Sequence, residues 1–350
     1  MPKNRLDKRL QNIPAEIWRK ISRIDELKGQ WISGAKLSPQ VLGRLKRSVL
    51  ITSTGASTRI EGAKLSDEDI EKMLRGMSVQ KFTDRDVQEV KSYYELLNNL
   101  FDSWKQVRFT ESAVKHLHLE MLKYVEKDAR HRGDYKKQEN HVEMRNEKGE
   151  SLGVIFNTTP AYLAPKQMQE LMEWTIGALE HNTYHPLLTL GNFLVEFLII
   201  HPFLDGNGRL SRILTNLLLM RAGYEYIPYV SHEKMVEDHK TEYYIALRKS
   251  QKTFKTDSED ITPWLHFFFD ILLEQSKRAV ELLSKENIEK LLSPKQLAVW
   301  TYLNTVAEAT PAEISKAANI ARPTINQALD KLLRLKKVER IGLGRSTRYR

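Results

Sequence analysis

The chain has 350 residues, which is enough for two or three domains with sizeable hydrophobic cores. It contains no cysteine, so disulfides and thiolate metal sites are excluded. The N-terminal residues carry no apolar run that could act as a signal peptide, and the densest apolar stretch, 193–200, is interrupted by Glu196 and too short to span a bilayer. We therefore expect a soluble, cytoplasmic protein without a membrane partner.

Residues 57–74 contain two helix signals in succession. On a helix, Ser57 and Glu61 lie one turn apart on one face, so the carboxylate can be presented to a partner with its backbone anchored. The string 66–69 has the form of a capping box ahead of residues 70–74. A new helix is therefore predicted to start there.

The segment 140–157 predicts a β-hairpin in a mostly helical chain. Residues 140–145 alternate in the manner of a strand, residues 146–151 have the composition of a turn, and residues 154–156 are an apolar return.

Residues 201–212 carry groups that are suited to work on a phosphate. A histidine such as His201 titrates near neutrality in its unperturbed form, so it can take a proton from an attacking hydroxyl. Asp205 offers hard oxygen ligands, which suit Mg²⁺ that bridges nucleotide phosphates.

A tight turn and a helix follow within the same string. Residues 206–208, Gly-Asn-Gly, allow the backbone to aim successive N–H groups at an anion, and residues 210–219 predict the helix that follows. Arg209 and Arg212 are three positions apart on the first turn of that helix. Both can therefore face the same phosphate chain.

This string closely resembles the signature of Fic proteins, His-x-Phe-x-Asp/Glu-Gly-Asn-Gly-Arg-x-x-Arg, and every specified position is filled. The resemblance implies a helical core and transfer of the AMP part of ATP to a hydroxyl of a target protein, with Mg²⁺ as cofactor. By position it assigns the general base to His201, the Mg²⁺ ligand to Asp205, the phosphate nest to Gly206, Asn207 and Gly208, and the phosphate clamp to Arg209 and Arg212. The related Doc-type kinases carry Lys where Gly208 stands, so their inverted use of ATP is disfavoured.

Residues 57–62 resemble the inhibitory motif of Fic proteins, Ser/Thr-x-x-x-Glu-Gly/Asn, through Ser57, Glu61 and Gly62. The resemblance implies an inhibitory helix in the same chain, at about 52–62. Glu61 would then occupy the guanidinium of Arg212 that should hold the γ-phosphate of ATP. The alternative is that Glu61 is an ordinary solvated helix residue.

Two further parts of the site follow from the same resemblance. The hairpin 140–157 occupies the place of the Fic flap, which holds a segment of the target protein as an additional strand; the alternative is a purely structural hairpin. Tyr244 resembles the tyrosine that lines the nucleotide pocket of Fic proteins, and the alternative for Tyr244 is core packing.

The basic excess of the chain is concentrated at its C-terminus. Residues 293–350 contain 11 Lys and Arg against 4 Asp and Glu, whereas the remaining residues contain 44 against 41. Cap signals and patterning predict a helix over 293–306, a second from 310, a third over 321–335, and a short basic hairpin over 338–350. This order is similar to a winged-helix domain.

A winged helix offers two surfaces to DNA. The third helix would direct four side chains toward a groove, Arg322, Thr324, Asn326 and Gln327, and the hairpin would direct three toward phosphate, Arg345, Arg348 and Arg350. Such domains also serve as protein-interaction or dimerisation modules, so DNA contact and a homodimer both remain open.

Together these patterns predict a mainly α fold, a Fic-type helical bundle with a β-hairpin flap and a C-terminal winged helix-turn-helix. The predicted domains are an N-terminal helical region 1–105, a catalytic core 106–250, a helical closure and connector 251–292, and a winged helix 293–350. The predicted function is a self-inhibited protein adenylyltransferase that modifies Tyr, Ser or Thr and releases pyrophosphate. Two alternatives are a hydrolase in which Glu61 positions the water that removes AMP from a modified protein, and a DNA-binding regulator whose core senses nucleotide.

Overall fold

The computed structural model describes residues 4–34, 37, 39–76, 84–145, 151–256, 258–335, 337–342 and 347–350. The chain divides into two compact units, Met1–Val280 and Glu281–Arg350. The described residues are mainly helical, as the sequence predicts. Among them, no helix is both long enough and apolar enough to cross a membrane. The finer division of the first unit into an N-terminal region, a core and a connector stays a prediction.

Helices dominate the first unit. Its helices are α1 Arg5–Lys8, α2 Ala15–Gly34, α3 Pro39–Ile60, α4 Asp67–Leu74, α5 Asp84–Ser103, α6 Glu111–Met121, α7 Ala164–Glu180, α8 Pro186–Ile200, α9 Asn207–Arg221, α10 His232–Asp238 and α11 Lys240–Gln251. The long helix α12, Thr262–Leu291, begins in this unit and continues into the second.

The core of the first unit surrounds α8. Every residue of this helix from Leu187 to Ile200 is buried, since most are apolar and the polar Asn192 and Glu196 are bonded by Arg9 and Arg5. Helix α8 packs against α7 on one side and α9 on another. Helix α9 is almost as deeply buried, although it carries Arg209 and Arg212. Two guanidinium groups are thus placed inside the bundle, where each needs a partner.

The turn between α8 and α9 is closed by backbone conformations that few residues adopt. Helix α8 ends at His201, which has a left-handed backbone with φ 49° and ψ 58°. Gly206, with φ 79°, precedes α9. The helix predicted over 210–219 begins earlier, at Asn207, because the Gly206 turn already directs the chain into the helix.

Helix α3 differs from the inhibitory helix predicted at about 52–62. It begins at Pro39 and ends at Ile60, so the predicted segment is only the last part of a much longer helix. It ends because Gly62 has φ 106°, and the N–H of Ala63 bonds back to the carbonyl of Thr58 at 3.1 Å. Glu61 therefore lies one residue beyond the helix. The next helix, α4, has the predicted capping box at Ser66 and Asp69.

Two strands stand out from the helices of the first unit. β1, His141–Arg145, pairs antiparallel with β2, Ser151–Asn157, starting with His141 opposite Asn157. The predicted turn at 146–150 lies outside the described residues. The role of this pair as a flap stays a prediction.

The second unit has its own core. Its helices are α13 Pro294–Leu303, α14 Pro311–Ala318 and α15 Arg322–Arg334, followed by the strands β3 Arg340–Ile341 and β4 Arg348–Tyr349. The two strands pair antiparallel, and the three helices bury Val299, Ile314, Ile325 and Leu329. The expected order of three helices and a strand pair is present, while its name and role as a winged helix remain a prediction. Arg345 lies outside the described residues.

Candidate active site

His201 is held as a proton acceptor at the end of α8. Its Nδ1 lies 3.2 Å from the carbonyl oxygen of Leu198. A carbonyl can only accept, so Nδ1 carries the proton and Nε2 keeps its lone pair. Burial, together with the nearby charge of Lys136, lowers the pKa of His201 to about 4. The imidazole is therefore neutral at pH 7, and Nε2 can accept a proton.

The side chain of Asn207 closes the loop that follows His201. Its Oδ1 accepts from the backbone N–H of Phe203 at 3.0 Å, and its Nδ2 donates to the carbonyl of Phe203 at 2.8 Å. The amide of Asn207 is thus engaged with the protein, and only its backbone N–H is left for the predicted phosphate contact. Glycine is favoured beside it at position 206, because the backbone there has φ 79°, which residues with a side chain rarely adopt.

The N-terminus of α9 is a suitable place for an anion. The N–H groups of residues 207–209 lie in the first turn, where a helix has no carbonyl to bond them. Such N–H groups can bind phosphate oxygens. The predicted nest thus lies at the start of the helix that also carries Arg209 and Arg212.

Asp205 belongs to a network of charges at this end of α9. Its Oδ2 lies 2.8 Å from Nη2 of Arg209 and 3.1 Å from Nη2 of Arg85, and Nη1 of Arg209 lies 2.8 Å from Glu89. Burial raises the pKa of the Asp205 carboxyl, but Arg209, the Gly206 N–H and Arg85 outweigh it and hold the pKa below its usual range. Asp205 is therefore ionised at neutral pH.

Asp205 is the residue of this loop that could hold Mg²⁺. Among the described residues, no group of three or more His, Asp or Glu is placed to hold a metal ion. Mg²⁺ at a nucleotide site needs only one or two carboxylates, because phosphates and waters fill the other positions. The Asp205 side chain is 40% exposed, so one ionised carboxylate is available. The residues present fit Mg²⁺ that is bound together with a nucleotide.

Arg212 is held by the end of α3. Its Nε donates to Ser57 Oγ at 2.8 Å, and its Nη2 donates to the Ser57 carbonyl at 2.9 Å and to Glu61 Oε1 at 2.8 Å. The Arg212 side chain is 4% exposed, whereas that of Glu61 is 33% exposed. Nη1 of Arg212 is buried and has no hydrogen-bond partner among the described residues. The structure thus brings together Ser57, Glu61 and Arg212; their inhibitory role stays a prediction.

Gly208 lies directly against the carboxylate of Glu61. A Cβ at position 208 would lie 2.3 Å from Glu61 Oε1 and 3.5 Å from Arg212 Nη1. Glu61 therefore occupies the space in front of the N-terminus of α9. Gly62, the last residue of the inhibitory motif, has φ 106°, so its role is to turn the chain after Glu61.

Tyr243 and Tyr244 lie on α11 near the same charges. Their rings are 5.2 Å apart in an edge-on arrangement. Tyr243 is buried, and burial raises its pKa to about 12. Tyr244 is partly exposed, and burial together with the charge of Glu61 raises its pKa above the usual range. The predicted Tyr244 thus lies near Glu61, while its contact with a nucleotide stays a prediction.

Sequence reasoning missed His118, which supports the loop from α6. Its Nδ1 accepts from the N–H of Gly133 at 2.9 Å, and its Nε2 donates to the carbonyl of Asp205 at 2.9 Å. The ring stacks on Phe203 at 3.8 Å. Burial lowers the pKa of His118 to about 4, so it stays neutral. The only signal in the sequence is a histidine on the apolar face of a helix.

Lys136 was also missed, and it ties the strand pair to the end of α8. Its Nζ donates to Asn140 Oδ1 at 2.7 Å, to Thr158 Oγ1 at 2.8 Å and to the carbonyl of Ile200 at 3.3 Å. Burial lowers the pKa of Lys136 to about 8. The base of the β1–β2 pair is therefore fixed to the residue that precedes His201.

Comparison with known proteins places this site in a family domain. Residues 108–219 match the sequence model of the Fic/DOC family. A "Protein adenylyltransferase Fic" of Drosophila grimshawi is 34% identical over 103 residues, which are 29% of this chain and 19% of that protein. A second, of Drosophila mojavensis, is 33% identical over the same length. The chain thus matches only about a fifth of the length of these curated relatives.

Solved structures share the fold more widely. A Fic family protein from Desulfovibrio desulfuricans superposes with a TM-score of 0.64 at 23% identity, over 97% of this chain and 96% of that chain. A Fic domain-containing signaling protein from Bacteroides thetaiotaomicron gives a TM-score of 0.61 at 21% identity, over 75% of this chain and 97% of that chain. The first unit thus shares the fold of these Fic proteins, and residues 108–219 match the Fic/DOC family in sequence.

Proposed function

We propose that the chain is a self-inhibited protein adenylyltransferase, which transfers AMP from ATP to a hydroxyl side chain of a target protein. The observation that carries the proposal is His201, whose Nδ1 donates to Leu198 so that Nε2 is free to accept. This acceptor follows α8 in the same short loop that leads to the anion-binding end of α9. The similarity of residues in this region to protein adenylyltransferases from Drosophila supports the same activity.

The proposed reaction uses each group of the loop once. The target hydroxyl gives its proton to His201 Nε2 as its oxygen forms a bond to the α-phosphorus of ATP. The bond between that phosphorus and the oxygen that bridges to the β-phosphate breaks, and pyrophosphate leaves. The N–H groups of residues 207–209 and the guanidinium of Arg209 hold the phosphate oxygens. Asp205 would hold Mg²⁺ together with the nucleotide, and the bound ion would supply neutralisation of the negative charge on the leaving group.

Self-inhibition follows from the surroundings of Arg212. A γ-phosphate needs the guanidinium of Arg212, and that group is already bonded to Ser57 and Glu61. The carboxylate of Glu61 also fills the space beside Gly208, where it would repel a phosphate. ATP is then excluded from the pose in which the α-phosphate faces His201. Transfer is restored when Glu61 moves.

The target segment is proposed to bind along the β1–β2 pair. A segment added to this edge bonds through its backbone, so most of its side chains are not read. Lys136 Nζ bonds to Asn140 and Thr158 at 2.7 and 2.8 Å, and to the carbonyl of Ile200, the residue before His201, at 3.3 Å. A hydroxyl in the added segment would then be presented to the base.

A hydrolase that removes AMP from a modified protein is the alternative. The partly exposed carboxylate of Glu61 favours it, since a carboxylate beside the phosphate site can position a water molecule. Glu61→Gly separates the two functions. With ATP labelled at the α-phosphate, the adenylyltransferase should gain labelled protein, whereas a hydrolase should lose its release of AMP from a modified target. ATP labelled at the γ-phosphate should leave the target unlabelled, and a labelled target would contradict the AMP transfer.

The second unit is proposed to contact DNA, as a function separate from the transfer. Arg322, Asn326 and Gln327 are exposed on α15, whereas Ile325 of the same helix is buried. Arg348 is paired with Glu308 at 3.1 Å, and Arg350 is paired with Glu339 at 2.7 Å. Each arginine would have to leave its glutamate to bind a DNA phosphate.

DNA binding by this unit is tested by salt dependence. Binding that weakens steeply with salt and is lost in Arg322→Ala would support it, whereas salt-independent or absent binding would contradict it. A homodimer also remains a proposal, and sedimentation of the full chain decides it.

A further inference from the structure

Residues 57–62, the proposed inhibitory segment, contain an arginine, Arg59, whose side chain is not bonded to Arg212 or to the loop 201–208. Arg59 lies between Ser57 and Glu61 in sequence, yet its guanidinium contacts α10. Nε donates to Glu237 Oε1 at 2.6 Å, and Nη2 donates to Glu237 Oε2 at 3.2 Å. This is a two-pronged arginine–carboxylate pair, which fixes orientation as well as distance. Both side chains are largely buried, at 23% and 18% exposed, so solvent screens the pair only in part.

The same guanidinium also holds the chain that follows the inhibitory turn. Nη1 of Arg59 donates to the carbonyl of Leu65 and to Asp67 Oδ1, both at 2.9 Å. Arg59 thus bonds to a residue before α4, to a residue of α4 and to α10. Glu61 lies between the end of α3 and Leu65, so the segment that carries it is fastened on both sides by one side chain.

Gly55 makes room for this arrangement. A Cβ at position 55 would lie 2.4 Å from Arg59 Nη1 and 2.5 Å from Asp67 Oδ1. The glycine lies in the interior of α3, where it lowers helix stability relative to alanine. Its absent side chain is therefore best explained by the guanidinium that lies against it.

We propose that Arg59 is a positioning residue, which holds Glu61 on Arg212 by fastening the inhibitory turn to Glu237 and Asp67. The proposal rests on the proposed self-inhibition. The inhibited state is then stabilised by the Arg59–Glu237 pair, which lies outside the nucleotide site. A partner or modification that disturbs the Arg59–Glu237 pair would therefore release Glu61 without competing with ATP.

The test compares AMP transfer by Arg59→Ala and Glu237→Gln with that by Glu61→Gly in the full chain. Both variants should raise transfer by about 5-fold or more, which is the lower range of coupling between sites. Neither should raise it further in the Glu61→Gly background, because Glu61 is then absent. Arg59→Lys keeps the positive charge but cannot make the two-pronged pair with Glu237, so the rise in AMP transfer should be smaller than in Arg59→Ala. Arg75→Ala breaks an exposed arginine–glutamate pair on α4 and serves as the matched control.

A second variant removes no charge. Gly55→Ala should displace the Arg59 guanidinium by steric contact and should raise transfer as Arg59→Ala does. In the Arg59→Ala background it should have no further effect on transfer. Thermal unfolding of each variant checks that the fold persists. Amide hydrogen exchange of residues 57–66 should become faster in Arg59→Ala and should be unchanged in Arg75→Ala.

The outcomes separate this inference from the proposed function. If Glu61→Gly gains transfer while Arg59→Ala and Gly55→Ala stay at the parent level, the positioning role is wrong and the self-inhibition stands. Unchanged exchange of residues 57–66 in Arg59→Ala would overturn the positioning role by itself. If Glu61→Gly gains no transfer, the proposed self-inhibition is contradicted, and the exchange experiment still decides whether Arg59 fastens the turn.

Discussion

Glu61 Oε1 accepts a hydrogen bond from Arg212 Nη2 at 2.8 Å, although the two residues are separated by 151 positions in the chain. The same guanidinium bonds to the side chain and the backbone of Ser57. Two residues of one short segment therefore bond Nε and Nη2 of this buried cation, while its Nη1 has no partner among the described residues. In the proposed function, Glu61 and the γ-phosphate of ATP compete for the guanidinium of Arg212.

Loss of the proton acceptor should abolish transfer while ATP still binds. His201→Ala should lower kcat by roughly 10²-fold or more, which is the usual scale for a lost general base. The measurement is AMP incorporation in the Glu61→Gly background, together with calorimetry of ATP binding. His181→Ala is the matched control, because this exposed histidine also follows a helix, α7. Transfer at the parent rate in His201→Ala would remove His201 from the chemistry.

Removal of the Glu61 carboxylate should raise AMP transfer, and this gain should depend on the guanidinium of Arg212. Glu61→Gly should raise transfer about 5- to 150-fold, which is the range expected for a coupling of 1–3 kcal/mol. Arg212→Ala in the same background should cancel this gain, because the released guanidinium no longer exists. AMP incorporation by the two single variants and the double variant at saturating ATP measures the coupling. A double variant as active as Glu61→Gly would show that Arg212 does not hold the nucleotide.

Asp205 should set the Mg²⁺ dependence of nucleotide binding. Asp205→Asn keeps the shape of the side chain but removes the charge that neutralises Arg209 and attracts the cation. ATP should then bind with an affinity that depends much less on Mg²⁺. Calorimetric titrations of ATP at several Mg²⁺ concentrations measure this dependence. Identical titrations for the variant and the parent would exclude Asp205 as a ligand.

The free energy of unfolding should fall as the pH drops from about 6.5 to about 4. Burial lowers the pKa values of His118 and His201 to about 4 and that of His232 to about 3 in the folded protein. Below pH 6.5 the unfolded chain therefore binds protons that the folded chain does not, so stability present above pH 6.5 is lost. Each histidine contributes up to about 1.4 kcal/mol per pH unit in this window. Burial raises the pKa of Glu233, which acts in the opposite direction.

Urea unfolding between pH 7 and pH 4.5 measures this dependence. His232→Gln should make this pH dependence shallower, because one of the three buried histidines with a lowered pKa is removed. A midpoint that stays constant over this range in the parent protein would contradict the assignment of neutral, buried histidines.

The sequence determined the groups of the loop 201–212, because their chemistry depends on residue type and on short spacing. Gly206 and Asn207 lie in a turn and at a helix start in any fold that accommodates the string, and α9 follows directly. The capping box at Ser66 is equally local, and it was predicted for the same reason. The mainly helical character also follows from local patterning.

Only the tertiary structure decided the supports of that loop. His118 and Lys136 lie on segments that reach the site through packing, and a buried histidine or lysine has no distinctive pattern in sequence. The side chain of Asn207 turned out to bond Phe203, since the closed loop offers both backbone groups of that residue. Arg59 lies inside a motif recognised from the sequence, yet its partner, Glu237, is 178 positions away. Partner choice across such distances depends on how helices pack, and local sequence does not encode it.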